Sequence, residues 1–358
     1  MTILDRYIIK KFLGTFFFSL ALFFTVAIII DLVERVDDFV RSAAPLSLII
    51  SNYYLPFIPW IGAILFPLFV FIAVLFFTSK LAGQSEIIGM LGNSVSYYRL
   101  LVPYLVTSIF LAVLLFFANH YVVPYSNAKK LAFESTYFPG GYKSSDQNIH
   151  IRLSSNDFLF LENYNHRENE GYKFSFEKYA NGKLMEKVSA DRIEWDYAEK
   201  AWKLYNVRIR DWKKGTENFV FEESKIEHYP ITPNDFERKK ETKEAMTTPE
   251  IDRFIAQEEA RGADNLQLFY VEKFRRTAAC YSLLIMTLIG VAVGGRKSRG
   301  GTGSSIAIGL LLSASYVLFM QMSTTFANQA GLNPILGTWI PNILFTLIAL
   351  LLLQRAQK

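Results

Sequence analysis

The sequence predicts a helical membrane protein with six transmembrane helices, arranged three and three around an inserted all-β domain. Long apolar stretches free of Asp, Glu, Lys and Arg give the first indication, because each is long enough to cross a bilayer as a helix. These stretches are residues 12–30, 57–79, 100–119, 277–295 and 300–354. The second indication is a middle region in which apolar and polar residues alternate, as in strands with one buried face.

The fifth apolar stretch is too long for one crossing and is predicted to contain two helices. The sequence AGLNP at residues 330–334 supplies the Gly, Asn and Pro of a turn between them. The first stretch is longer than the apolar core of a secretory signal, and the acidic sequence DLVERVDD follows it, so we expect an uncleaved helix.

Lys and Arg predict the orientation, because short cytoplasmic loops are enriched in both. A cytoplasmic N-terminus leaves only Arg35 and Arg41 in short outer loops. The other basic residues near helix ends then lie inside: Arg6, Lys10, Lys11, Lys80, Arg99, Arg296, Lys297, Arg299, Arg355 and Lys358. Both termini are predicted to be cytoplasmic and residues of about 121–270 to lie outside. The predicted domains are 1–120 (helices one to three), 121–265 (the β domain and a short connecting helix) and 266–358 (helices four to six).

No motif predicts catalysis by this chain. The stretch GVAVGGRKS at residues 290–298 approaches a phosphate-binding loop, but Arg296 separates Gly295 from Lys297 and an apolar helix precedes it. The four histidines, at 120, 150, 166 and 228, lack metal-ligand spacing, and the single Cys280 permits no internal disulfide. The helix interiors carry no charge for proton or sodium coupling, so we expect the energy for any transport to come from elsewhere. The net charge of +5 reflects the cytoplasmic basic bias and gives no reason to expect nucleic acid.

The β domain is predicted to be an antiparallel sandwich or jelly roll of at least six strands. Asn181-Gly182 predicts a hairpin turn, because both residues tolerate positive φ. The apolar register changes between Trp202 and Ile209, which indicates a bulge. Thr248-Pro249-Glu250 predicts the start of a short helix, and RGADN at residues 261–265 its end.

A set of apolar strand residues is predicted to face inward. It comprises Ile151, Phe158, Phe160, Phe174, Phe176, Ile193, Trp195, Phe219 and Phe221. Any sandwich requires such a core. The alternative is that some of these side chains hold acyl chains in an open-ended jelly roll, for which the candidates are Phe158, Phe160, Phe174, Phe176, Trp195, Phe219 and Phe221.

The loop between helices two and three, residues 80–98, contains a predicted short helix at about 84–95. Ser85 and Glu86 can cap and charge its start, which places Glu86, Met90 and Asn93 on one face. This helix is either an ordinary connection or a docking element for a soluble motor protein.

Several motifs resemble the LptF/LptG family of lipopolysaccharide-export permeases. LDRYIIKKF at residues 4–12 is similar to the family's N-terminus, more in its LptG than its LptF form. SEIIGM at 85–90 resembles the family's coupling helix, and GLNPILGTWIPN at 331–342 its last periplasmic loop and sixth helix. Glu272, Arg276, Gly290 and Gly294 also match around helix four.

The resemblance implies a permease subunit, not an enzyme, in the inner membrane of a Gram-negative bacterium. It would extract lipopolysaccharide from the outer leaflet and pass it to a periplasmic bridge. Its implied partners are a dimer of the LptB-type ATPase, which would bind ATP and Mg²⁺, a paralogous permease (LptF if this chain is LptG) and an LptC-type bridge protein. No cofactor is implied for this chain. Glu86, Ile87 and Met90 are the expected ATPase-coupling residues.

The chain also departs from the family pattern. Cys280 and Ser94 replace a common Pro and Gly, and Asp31 stands where LptG-like members carry a cation. The candidates for binding the lipid A phosphates are therefore Arg35, Arg41, Lys273, Arg275 and Arg276. For the basic cluster EKFRR at 272–276, the alternative role is anchoring at the membrane interface. Two other functions remain open: a permease for another lipid or lipoprotein, and a membrane-anchored periplasmic scaffold or binding protein.

Overall fold

A computed structural model describes residues 2–138, 146–154, 156–165, 168–180, 182–213, 216–233, 242–260, 266–295 and 301–356. Within them lie six helices that are long and apolar enough to cross a membrane and one six-stranded antiparallel sheet, which confirms a helical membrane protein with an inserted β domain. The chain divides into a membrane unit (Met1–Phe133, Lys243–Thr248 and Gln267–Lys358) and a β unit (Glu134–Thr242 and Pro249–Leu266).

Nine described helices are used below. The six membrane helices are α1 (Ile3–Ser42), α2 (Leu46–Gly83), α4 (Tyr97–Tyr137), α7 (Gln267–Gly294), α8 (Gly301–Gln329) and α9 (Pro334–Ala356). The three short helices are α3 (Glu86–Gly92), α5 (Thr242–Ala245) and α6 (Thr248–Ala260). The break between Gln329 and Pro334 confirms the turn predicted at AGLNP, where Gly331 has a φ of +70°. Residues 261–265, predicted to end α6, lie outside the described residues.

Two membrane helices extend well beyond the apolar stretches that predict them. α1 continues through the acidic sequence DLVERVDD to Ser42, and α4 continues to Tyr137, past the predicted domain boundary at residue 120. The length of an apolar stretch reflects the thickness of the bilayer, whereas the helix itself continues until a residue ends it. α2 and α4 contain π-helical turns at Ile49–Tyr54 and Ala118–Val122, each followed within two residues by a proline that lacks a backbone N–H.

Small residues allow α7 to pack closely against α2. A Cβ on Gly290 would lie 2.9 Å from Cγ1 of Val74, and one on Gly294 would lie 3.0 Å from the carbonyl oxygen of Leu75. Close approach of this kind is how helices associate in lipid, where burial of apolar surface gives no net gain. The stretch GVAVGGRKS is therefore a helix-packing segment up to Gly294, and its residues 296–298 lie outside the described part of the chain.

The β unit contains strands β1 (Asp146–Arg152), β2 (Asp157–Asn165), β3 (Glu170–Ala180), β4 (Lys183–Asp196), β5 (Ala201–Lys213) and β6 (Thr216–Glu227). They pair in chain order, so the described sheet is an antiparallel meander. A jelly roll needs a strand that returns beside a non-consecutive neighbour, and the described strands have no such pairing. Gly182 joins β3 to β4 with a φ of +73°, and its predicted turn partner Asn181 lies outside the described residues.

The alternation of buried and exposed positions shifts by one residue along one transverse row of the sheet, while the buried side chains stay in one core. In β5 the buried positions pass from Trp202 and Leu204 to Val207, with Asn206 at a φ of 54° between them. The same change occurs in β3, where Lys173 has a φ of 52°. The pairing of β5 with both neighbours keeps one register through this row. The bulge predicted in β5 is therefore wrong, because a bulge would have shifted its register; β3 and β5, on either side of β4, instead share an irregularity.

The core of the β unit lies on one face of the sheet. Its fully buried members include Leu161, Tyr164, Phe174, Ile193 and Trp202. The indole N–H of Trp202 donates to the carbonyl of Ile231 at 2.9 Å, so the segment after β6 covers this face. An indole buried with its polar atom satisfied fixes both the depth and the orientation of that segment.

Candidate functional site

The short helix α3 lies on the membrane face at which α1 begins, here called the N side; the opposite face is the far side. Ser85, which precedes α3, has a φ of 60° and its side chain makes no capping bond to the helix. An N-cap residue needs an extended backbone, so the predicted cap by Ser85 is wrong. The acidic Glu86 does open the helix, where it faces the positive end of the helix dipole.

The predicted coupling residues occupy different sides of α3. Ile87 is only 3% exposed and Met90 packs against the same core of α1, α2, α4 and α7. The outward side carries Ile88, which is 52% exposed, with Leu91 beside it. Gly89 and Gly92 lie next to open space, since an added Cβ would meet no atom within 4 Å. A protein docking on the N side would therefore contact Ile88 and the glycine backbone before it contacted Ile87 or Met90.

Glu86 is bound to the start of α1. The Tyr7 hydroxyl donates to Oε2 of Glu86 at 3.1 Å. Two residues earlier, Asp5 accepts two hydrogen bonds from the Arg99 guanidinium, at 2.7 and 2.8 Å, and forms a capping box with Thr2. The first turns of α1, α3 and α4 are thus joined by polar side chains on the N side. Periodicity could not reveal Tyr7 or Arg99, because these contacts join distant parts of the sequence.

Two membrane helices leave most of their surface uncovered by the rest of the chain. In its most apolar stretch α1 is only 11% buried and α8 only 22%, whereas α7 is 67% buried. The exposed residues of α1 and α8 include Leu22, Val26, Ile29, Val33, Ile308, Leu311, Leu318 and Met322. Apolar surface of this kind is compatible with lipid or with another membrane protein.

The far side holds the candidate phosphate-binding cations Arg35 and Arg41 at the end of α1. Arg35 pairs with Asp31 at 3.3 Å and lies over the ring of Tyr53, whose hydroxyl also donates to Asp31. Asp31 is therefore paired with Arg35 and is not an isolated acidic residue. Arg41 is exposed in the last turn of α1.

The two arginines of the EKFRR cluster have different environments. Arg276 is 4% exposed and donates to Glu272, to the hydroxyl of Thr248 and to the carbonyl of Lys243. Arg275 also contacts Glu272, at 2.7 Å, but its side chain is 40% exposed. The hydrogen bonds of Arg276 thus go to Glu272 and to the start of α6 and the residues before it, while Arg275 keeps exposed surface. Lys273 lies 5.9 Å from the ring centre of Phe274.

A further pair on the far side escaped prediction from sequence. The Lys130 ammonium is buried 4.2 Å from the ring centre of Trp60, and the Trp60 indole N–H donates to Glu244 at 3.3 Å. Both contacts join parts of the chain that are far apart in sequence. Lys130 lies in the polar extension of α4 beyond residue 119, where nothing in the sequence indicates that an indole covers it.

The candidate acyl-chain residues lie on both faces of the sheet. Phe174, Phe176 and Trp195 belong to the core face, where Tyr229 packs on both phenylalanines. Phe158 and Phe160 of β2 are displaced to the opposite face, because Leu159 and Leu161 point into the core. Phe219 is 57% exposed on the edge strand β6, and Phe221 is similarly exposed. The inward orientation predicted for Phe158, Phe160, Phe219 and Phe221 is therefore wrong.

Several charges on the described strands of the β unit are paired with a neighbour. Lys187 donates to Glu177 at 2.7 Å, and this hydrogen bond, with one from Tyr179, holds the pKa of Glu177 below its usual value. Burial raises the pKa of the Tyr229 phenol above that of a free tyrosine.

Among the described residues no group of three or more His, Cys, Asp or Glu side chains could hold a metal ion.

Six helices long and apolar enough to cross a membrane, two of them mostly uncovered, define a multi-pass helical membrane protein. The sequence model of the family described as "Lipopolysaccharide export system permease LptF/LptG" matches residues 6–355, essentially the whole chain. The chain therefore belongs to this family, whose members are permease components rather than enzymes, and the resemblance in the sequence is confirmed. The match covers the LptF and LptG branches together. No individual curated protein matches the chain.

Proposed function

We propose that this lipopolysaccharide-export permease is one half of an ATP-driven extractor, and that a separate ATPase supplies its energy by docking on α3. The observation that carries the proposal is the outward side of α3, where Ile88 and Leu91 expose apolar surface beside Gly89 and Gly92. An isolated exposed apolar residue is ordinary, but here two lie on one seven-residue helix beside uncovered backbone. Such a surface fits an apolar cleft of a soluble protein.

In this proposal the N side is cytoplasmic, and the lipid is enclosed by the uncovered faces of this chain and a paralogous permease. An LptB-type ATPase dimer contacts α3 through Glu86 and Ile88, while Ile87 and Met90 hold α3 on the permease. Arg35, Arg41, Lys273 and Arg275 are available to the phosphates of lipid A, and the core-face aromatics of the β unit to its acyl chains. An LptC-type protein receives the lipid. The opening motif LDRYIIKKF favours LptG over LptF.

The docking surface is tested by Ile88→Asp. A charge in the middle of an apolar contact removes buried area and adds an unpaired ion, so we expect the ATPase to be lost from the purified complex. Ile3→Asp is the matched control, because Ile3 is 90% exposed on the N side but lies outside α3. The measurement is the amount of ATPase that copurifies with the tagged permease. Full recovery of the ATPase with the Ile88 variant would rule out this docking surface.

The same purification identifies the cargo. Mass spectrometry of the copurified chains and lipid is expected to find an ATPase, a second permease and lipopolysaccharide. Another lipid or a lipoprotein in place of lipopolysaccharide would assign the chain to a different cargo. Absence of any ATPase would favour a membrane-anchored scaffold.

A further inference from the structure

Tyr7 connects α1 to the helix on which the proposed ATPase acts. Its hydroxyl donates a hydrogen bond to Oε2 of Glu86, and within the described chain no group donates to the second carboxylate oxygen, Oε1. Lys11, one helical turn further along α1, lies 5.7 Å from the centre of the Tyr7 ring. Glu86 can therefore keep its bond to α1 while Oε1 accepts a hydrogen bond from a docked protein.

The start of α1 is also fixed in orientation. Arg99 contacts both oxygens of Asp5, at 2.7 and 2.8 Å, and a two-point contact between planar groups restrains rotation as well as distance. Asp5 in turn accepts from the backbone of Thr2, which caps the helix. A displacement of Glu86 thus acts on a helix end whose first turn is joined to Arg99 of α4.

The packing of α1 is closest in its N-side half. Ile8, Phe12, Phe16 and Leu20, spaced by four residues, are buried, and no residue from 21 to 38 is. The far end of α1 still contacts α2, because Phe39 packs on Tyr53 and the Tyr53 hydroxyl donates to Asp31. Movement of α3 thus reaches α1 at Tyr7, directly before Ile8, the first apolar residue of this buried row.

We propose that Tyr7 is a positioning residue that transmits movement of α3 to α1, so that ATP-driven displacement of Glu86 moves the N-side end of α1. This inference rests on the proposed function, because it assumes that the ATPase acts on Glu86. The partner of Tyr7 within the permease is the Glu86 carboxylate, and the moving element is α1. The bond is exposed to solvent, so it adds little to folding stability and its role in coupling can be measured separately.

The test uses the permease complex with its ATPase, reconstituted in phospholipid vesicles that contain lipopolysaccharide. Tyr7→Phe removes the hydroxyl and keeps the ring. We expect lipopolysaccharide extracted per ATP to fall by about threefold or more, the effect of losing one hydrogen bond, while the ATPase rate, complex assembly and Tm stay unchanged. Tyr98→Phe is the matched control, since Tyr98 is an exposed tyrosine on the N side.

Glu86→Ala and the double variant separate this proposal from the proposed function. If Tyr7 acts through Glu86, the double variant extracts as much lipid per ATP as Glu86→Ala alone. Normal coupling in Tyr7→Phe, or losses that multiply in the double variant, would overturn the role of Tyr7 and leave the docking of the ATPase intact. Normal coupling in Glu86→Ala would instead contradict the coupling role of Glu86 on which both proposals depend.

Discussion

At the scale of single residues, two adjacent arginines on α7 show how burial decides what a cation can do. Arg276 has its donors engaged by Glu272, Thr248 and Lys243 and is almost inaccessible. Arg275 shares Glu272 but keeps two-fifths of its side chain exposed. A ligand phosphate can reach Arg275 without breaking the fold, whereas binding to Arg276 would require three internal hydrogen bonds to be given up.

The two arginines should therefore give different mutant phenotypes. Arg276→Ala leaves the buried Glu272 without a full complement of donors, and removal of one partner from a buried ion pair costs about 3–5 kcal/mol. We expect a lower Tm and a poor yield of the complex. Arg275→Ala should assemble normally and reduce photo-crosslinking of lipopolysaccharide on the far side. Equal stability of the two variants, or unchanged crosslinking in Arg275→Ala, would contradict this division.

At the scale of elements, the sequence predicted the membrane helices better than the strand faces. A charge-free stretch of membrane length has few alternative explanations, so all six helices were located. In β2 and β6 the sequences FLFL and FVF are apolar at consecutive positions. An alternation of period two can then be placed on either face of the strand, and a one-residue shift exchanges every side chain between the core and the surface. This ambiguity explains why Phe158 and Phe160 were assigned to the core in place of Leu159 and Leu161.

The contacts of the candidate site were harder to predict than its location. The helix around Glu86 was found because its capping and acidic residues are local in sequence. The sequence could not show which side of this helix faces outward, because Ile87 and Ile88 are chemically alike and only packing distinguishes them. The bonds of Tyr7 to Glu86 and of Arg99 to Asp5 span 79 and 94 residues, distances at which no periodicity carries information.

The two faces of the sheet give a prediction about the acyl-chain path. Phe176 and Trp195 lie at the partly buried margin of the core face, whereas Phe160 lies on the opposite face. If acyl chains pass along the core face, photoreactive residues at positions 176 and 195 will crosslink to lipopolysaccharide during ATP turnover. Position 160 is the control on a neighbouring strand and should crosslink weakly. Equal crosslinking from positions 160 and 176 would exclude a path confined to the core face.

At the scale of the whole molecule, burial is distributed unevenly among the membrane helices. α7 is largely enclosed by α2, α4, α8 and α9, and its glycines and the buried Asn342 amide, which donates to the carbonyl of Ala278 at 3.0 Å, fix that packing. α1 and α8 are mostly uncovered. Because apolar surface costs nothing in lipid, these helices can exchange lipid contacts for contacts with another subunit at little energetic cost. This asymmetry is what the proposed enclosure of a lipid between two permease halves requires.

The proposed direction of transport depends on the orientation of the chain, which follows from basic residues on the N side. Arg6, Lys10, Lys11, Lys80 and Arg99 lie there among the described residues, while Arg296, Lys297, Arg299 and Lys358 lie outside the described part of the chain. An excess of Lys and Arg next to membrane helices marks the cytoplasmic face. The N side is therefore predicted to face the cytoplasm and the β unit the periplasm.

Cysteine labelling of spheroplasts with a membrane-impermeant maleimide tests this orientation. Glu199 lies in an exposed turn of the β unit, and Gln84 is exposed at the end of α2 on the N side. We expect Glu199→Cys to react in intact spheroplasts and Gln84→Cys to react only after the membrane is permeabilised. The parent chain is the control, because its single Cys280 is buried in α7. The reverse pattern would place α3 in the periplasm, where no ATP is available to drive it, and the coupling of ATP hydrolysis to extraction could not operate through Glu86.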